Sequence, residues 1–289
     1  MTLLLFLLFM IPGTFVLGVY EVEQKKLLTK GVDDQILLGT TWFLGGALIF
    51  LVGLIWGFPV LKDGFWQAIS IAIGINLVSQ PIFIRALKLS DASIVAPMRL
   101  LTPILTVVTG FFILHEEPTF GGVAGILIAM IGFWIILFPT GGWKITHIFE
   151  KGVILAIIGS ALFAVSLPFD KKAVLTSSAS VAAGLGLSIM GGISLLISFA
   201  FRRRLFSFND FIKWKKDFVI ITLLEALGSY LTAGALNYAL VAYAASLKRL
   251  WSFWTVLLAG QILKEGERKR RIFATLIMFL GIMVTVIWG

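Results

Sequence analysis

The chain has 289 residues, of which 59% are hydrophobic and 13% charged, and its mean hydropathy is +1.01; that is more apolar surface than a soluble core of this size buries, so the class is an all-α integral membrane protein. A formal charge of +9 would suit a nucleic-acid partner, but the cations sit in short loops between apolar runs, where topology signals belong, and form no basic stripe. The lack of cysteine excludes disulfides, thiol nucleophiles and thiolate metal sites.

A hydrocarbon core of about 30 Å needs about 20 apolar residues per helix. Apolar runs between charged or Gly/Pro breaks predict ten spans: about 2–20, 35–57, 65–87, 91–114, 119–139, 152–169, 179–201, 217–237, 240–263 and 269–288. The opening run lacks a basic n-region and a small-x-small cleavage site, so it reads as a helix rather than a signal peptide. The loops are short, which leaves no room for a soluble domain.

The second half echoes the first. Ala86 to Arg99 lies over Ala235 to Lys248, and the register continues without a gap through Thr106-Val107 over Thr255-Val256, Glu116 over Glu265 and Gly132 over Gly281. Lys25-Lys26 echoes Lys171-Lys172 after a shift of a few residues. The chain is therefore expected to hold two five-helix repeats, 1–140 and 151–289. An odd number of spans per repeat sets the halves in opposite orientations, the inverted-repeat plan of many secondary transporters.

Apart from Lys62, Lys171 and Lys172, every loop cation falls on one side of the predicted spans. By the positive-inside rule that side is cytoplasmic and both termini are outside.

Three cations interrupt the apolar segments. Lys248 and Arg249 lie near the middle of the ninth, and Arg99 lies at the mirrored depth of the fourth. A Lys or Arg at the centre of a membrane helix costs about 2.5 to 3.5 kcal/mol on insertion scales, so it normally faces a water-filled path or a counter-ion. Glu225 in the eighth segment is expected to be the only acid at comparable depth. One carboxylate against three cations points to an anionic substrate group, with Arg suited to forked contacts and Lys to a point-charge contact. Successive helix residues are about 100° apart, so at most one of Lys248 and Arg249 points straight into a cavity, and the other pairs with Glu225. An internal ion pair that only fixes packing is the alternative. Asn76, Gln80, Tyr230, Tyr243 and Trp251 are polar or aromatic candidates to complete the site, although for each taken singly an interhelical hydrogen bond or core packing is the default role.

An enzyme would need a nucleophile, a metal set or a carboxylate pair at one depth. His115 and His147 are the only histidines and lie in loops, so no catalytic residue, metal or cofactor is expected.

Each half closes with a long helix, a Leu-x-Glu turn and a final Gly-containing helix. The carrying residues are Pro103 to Glu116 with Gly125 and Gly132, and Ser252 to Glu265 with Gly281. In these features the chain resembles the drug/metabolite transporter superfamily, EamA type, although Ser252 stands where the pattern often has proline. Lys248-Arg249 is also similar to the Lys-Arg pair of triose-phosphate and nucleotide-sugar translocators, which engages a substrate phosphate. The resemblance implies a ten-helix basket with a central cavity and export or exchange of small metabolites such as amino acids or phosphorylated compounds. The expected function is thus a multi-pass transporter, placed in the plasma membrane, for a small anionic or zwitterionic metabolite, with the lipid bilayer as its other partner. The alternative is a structural or regulatory membrane protein whose charges are internally paired.

Overall fold

The computed structural model describes residues 2–30, 32–55, 57, 59–89, 98–99, 101–137, 150–202, 208–251, 253–255, 258 and 268–288. These residues form ten helices and no strand: α1 (Thr2–Thr29), α2 (Asp34–Ile55), α3 (Phe65–Leu89), α4 (Leu101–Leu114), α5 (Phe120–Leu137), α6 (Lys151–Leu175), α7 (Ala179–Arg202), α8 (Phe208–Ala235), α9 (Val241–Lys248) and α10 (Arg268–Trp288). Six of them, α1, α2, α3, α6, α7 and α8, contain stretches long and apolar enough to cross a membrane, and α4, α5 and α10 contain shorter apolar stretches. Much of the expected ninth span beyond Trp251, with Glu265, lies outside the described residues, as do Pro97 and the residues before it in the fourth.

Outward-facing side chains explain why the fold belongs in lipid. Phe120 is 92% exposed and Ile55 81%, and Phe112, Leu196 and Phe199 also face outward. Large apolar side chains exposed in this number are stable against acyl chains and would promote aggregation in water.

Within lipid, helices associate through close van der Waals contact, which favours small residues at the crossings. Gly39, Gly46 and Gly53 recur every seventh residue and so share one face of α2. A Cβ on these would meet Leu195 and Gly191, then Ser188 and Gly184, then Ser180, so the α7 partners descend in number as the α2 positions rise. The two helices are therefore antiparallel. The same test on Gly121, Gly125 and Gly281 sets α5 antiparallel to α10. α1 runs antiparallel to α8, with Gly234 against Phe9 and Gly228 against Leu17. α3 runs antiparallel to α6, with Phe83 against Gly159 and Asn76 against Ser166.

These four pairings are the most extensive among the described residues. They map onto themselves when the halves are exchanged: second helix on second, fifth on fifth, and first on third in both senses. The corresponding helices α2 and α7, and α5 and α10, run in opposite directions.

Backbone groups freed inside the helices are satisfied locally. Pro168 in α6 cannot donate to the carbonyl of Ala164 one turn earlier, and the Thr109 hydroxyl of α4 donates to that carbonyl instead at 2.5 Å. α4 ends as His115 enters the left-handed region at φ 55°, with the Glu116 N–H donating back to the Gly110 carbonyl at 3.3 Å. The His115 N–H donates to the Phe111 carbonyl at 3.0 Å, the single bond of an αL-type stop, here built on a non-glycine residue.

Candidate functional site

Between the halves lies a cavity of about 390 Å³ lined by α1, α2, α3 and residues at the start of α4 from the first half and by α6 to α9 from the second. A buried cluster of Phe6, Phe65, Ala173, Val181, Leu236 and Leu247 packs beside it. Arg99, Lys248, Arg249 and Glu225 all reach the lining, as do Asn76, Gln80 and Trp251.

Tyr230 and Tyr243 are not among the described lining residues. Tyr230 is 39% exposed on the outer face of α8. Tyr243 is buried against Ile126 and Ala242, and its hydroxyl accepts a hydrogen bond from the Thr119 N–H at 3.1 Å. Each serves a place in the bundle other than the cavity.

The expectation of a single deep carboxylate is corrected by the structure. Glu21 and Asp170 also line the cavity, so three carboxylates face three cations among the described lining residues. α6 does not stop at residue 169, where Asp170-Lys171-Lys172 reads as a loop; it continues to Leu175. It can do so because Lys171 is neutralised inside the bundle, its Nζ donating to Glu116 Oε1 and to the Ala239 carbonyl, each at 2.5 Å. α1 likewise continues past residue 20 and carries Glu21 to the cavity. Lys171 therefore leaves the set of loop cations used for orientation.

Each carboxylate is held by a neighbouring hydroxyl. Ser166 Oγ donates to Asp170 Oδ2 at 3.3 Å and itself accepts from Asn76 Nδ2 at 2.8 Å. Ser229 donates to Glu225 at 2.8 Å, one turn along α8, and Thr255 donates to Glu21 at 2.7 Å. Arg99 rests over the Phe83 ring at 4.3 Å, which fixes the plane of its guanidinium.

Lys248 interacts electrostatically with Asp170, with its neighbour Arg249 as a like charge, and with Glu225. Arg99 interacts with Glu21, and Arg249 faces Arg99 as a like charge. Arg249 Nε is buried with no hydrogen-bond partner among the described residues, and the Trp251 indole N–H is in the same condition.

The gap-free register that pairs Arg99 with Lys248 also pairs Asn76 with Glu225 and Gln80 with Ser229.

A family model matches residues 4–138 and again 150–287, one copy per half, and its description is EamA-like transporter family. The chain belongs to the EamA-like transporter family. No curated protein gives a significant match. Among solved structures 29 chains match, and one, a crystal structure described simply as that of a protein, is 17% identical with a TM-score of 0.75, covering 97% of this chain and 96% of its own. At that identity the likeness speaks for the fold. The two EamA matches divide the chain where the internal repeat divides it, so the cavity of this family member lies at the boundary between its two repeats.

Proposed function

We propose that the chain is a secondary transporter that carries a small charged metabolite, of the anionic or zwitterionic class, by alternating access around the cavity between its halves. The observation that carries this reading is the 390 Å³ cavity at the repeat boundary with Arg249 Nε unpartnered on its wall. Ten spans in two inverted repeats would supply the moving parts, and the opposed directions of α2 and α7 support that plan. No nucleotide-binding motif is present in the sequence, so exchange, facilitated diffusion or an ion gradient drives the cycle. The concentration of loop cations on one side supports placing that side in the cytoplasm, and we place the protein in the plasma membrane as an exporter or exchanger.

A structural protein with internally paired charges is the second reading, favoured by the equal number of cations and carboxylates in the lining. An unpartnered buried guanidinium nitrogen beside open volume is a poor fit to it, since an unmet buried donor costs about 1 to 3 kcal/mol.

The test is counterflow in proteoliposomes with labelled amino acids and phosphorylated metabolites, repeated with Lys248→Ala and Arg249→Ala. Uptake of at least one probe, lost in the variants, is the expected result. Silence across the panel would overturn transport, and unchanged uptake in both variants would overturn the site.

A further inference from the structure

Glycine holds a helix interior less well than alanine, so a glycine inside α7 calls for a reason. For Gly184 and Gly191 the reason is the crossing with α2: a Cβ at Gly184 would lie 2.8 Å from the Phe50 backbone N, and one at Gly191 would run into that of Phe43. Gly186 has no such neighbour. A Cβ there would meet none of the described atoms within 4 Å, and its φ lies outside the left-handed region, so the backbone accepts any L side chain.

The open space in front of Gly186 belongs to the cavity, because Gly186 is one of its lining residues. Ala182, Ala183 and Met190 lie three or four residues away and line it too, which makes this face of α7 a cavity wall. Ala72 of α3 and Ala233 of α8 continue that wall with small apolar groups. Apolar wall atoms that face open volume forgo dispersion contacts, which an apolar ligand group supplies. The same cavity carries the unmet donors Arg249 Nε and the Trp251 indole N–H, which call for a polar ligand group. A sugar phosphate answers the donors and sets hydroxyls against the apolar wall. A molecule with a charged head and an apolar side group suits both surfaces.

We propose that Gly186 is a specificity-determining residue: its missing side chain makes room for an apolar group of the transported molecule and sets the largest group that fits. The inference rests on the transport reading above and adds an amphiphilic substrate whose apolar part α7 limits in size. A bare helix face also suits closure of α7 on a neighbour during the cycle. Obstructed closure slows every substrate alike, whereas a size limit acts on the large ones.

Counterflow in proteoliposomes with labelled alanine, valine, leucine and phenylalanine, beside labelled glycerol phosphate and glucose phosphate, separates these cases. The proteins are the wild type, Gly186→Ala, Gly186→Leu and, as a control on an exposed glycine of α3 with equally open surroundings, Gly74→Leu. The wild type is expected to move valine, leucine or phenylalanine at least about ten-fold faster than either phosphate ester. Gly186→Leu should slow leucine and phenylalanine about ten-fold or more and leave alanine within about two-fold, with Gly186→Ala giving the same order and a smaller loss. Gly74→Leu should keep the wild-type profile. An equal loss at every size in Gly186→Leu assigns the glycine to closure and overturns the size limit, and an unchanged profile overturns it as well. A wild type that prefers the phosphate esters overturns the apolar subsite while leaving transport intact. Size exclusion in detergent accompanies each protein, and failure of Gly186→Ala to fold overturns the open space itself. No counterflow with any probe overturns the transport reading and this inference together.

Discussion

Lys171 Nζ and Glu116 Oε1 lie 2.5 Å apart with side chains only 9% and 12% exposed, and the other carboxylate oxygen, Oε2, accepts the Val241 N–H at 2.6 Å. One buried carboxylate therefore joins the stop of α4, the last turns of α6 and the first residue of α9. Val241 is the first residue of its helix, so its N–H has no intrahelical acceptor, and Glu116 acts as a cap from another segment. Removing one partner of a buried pair strands the other, at a cost of about 3 to 5 kcal/mol. Lys171→Ala is expected to lower the unfolding temperature in detergent sharply. Glu116→Gln retains an acceptor for Val241 and should cost less than Glu116→Ala; equal losses would show that the cap contributes nothing.

The Thr109 hydroxyl on the Ala164 carbonyl leads to a second prediction. Thr109→Val keeps the shape of the side chain and leaves that carbonyl without its donor, at a cost of about 1 to 3 kcal/mol. Pro168→Ala restores the N–H that the proline lacks and so gives Ala164 an intrahelical partner again. The double variant should therefore unfold at a higher temperature than Thr109→Val alone. Additive losses would mean that the hydroxyl and the proline are unconnected.

How much of this was legible follows from what lipid demands. Ten apolar runs and their repeat are visible because every spanning helix needs about 20 apolar residues, and a cation within one is conspicuous. Arg99, Lys248, Arg249 and Glu225 could therefore be picked out as a group. Asp170 could not, because Asp-Lys-Lys after an apolar run looks like a loop, and the residue that makes Lys171 tolerable in a helix, Glu116, is 55 positions away. Once the carboxylate is missed, a balanced cavity reads as a positive one. Tyr243 fails in the opposite direction: a tyrosine near the deep cations looks like a ligand contact, but its hydroxyl is used by Thr119, 124 positions away.

Close helix contact gives a third prediction. Gly46 of α2 has no room for a Cβ against Gly184 and Ser188, whereas Gly74 of α3 meets nothing within 4 Å. Gly46→Leu is expected to separate α2 from α7 and cost about 3 kcal/mol or more, by over-packing with no flexible neighbour to give way. Gly74→Ala should be neutral or stabilising by up to about 1 kcal/mol, the ordinary helix preference. Unfolding temperatures in one detergent compare the two, and similar values for both would sink the contact argument.

The adjacent cations Lys248, the last residue of α9, and Arg249, its C-cap, should part company when each is removed. Lys248 is the shared counter-charge of Asp170 and Glu225, so Lys248→Ala leaves two buried carboxylates without their cation and is expected to destabilise by about 3 kcal/mol. Arg249 has no carboxylate partner among the described residues, faces Arg99 as a like charge and keeps its Nε unmet. Removing it relieves a desolvation cost, so Arg249→Ala should hold or raise the unfolding temperature while lowering counterflow at least ten-fold. A stabilised, inactive Arg249→Ala beside a destabilised Lys248→Ala is the signature of a cation kept for its ligand and a cation kept for its neighbours. Equal destabilisation by the two substitutions would instead make Arg249 part of the internal framework, and measurement of both unfolding temperatures in the same detergent decides it.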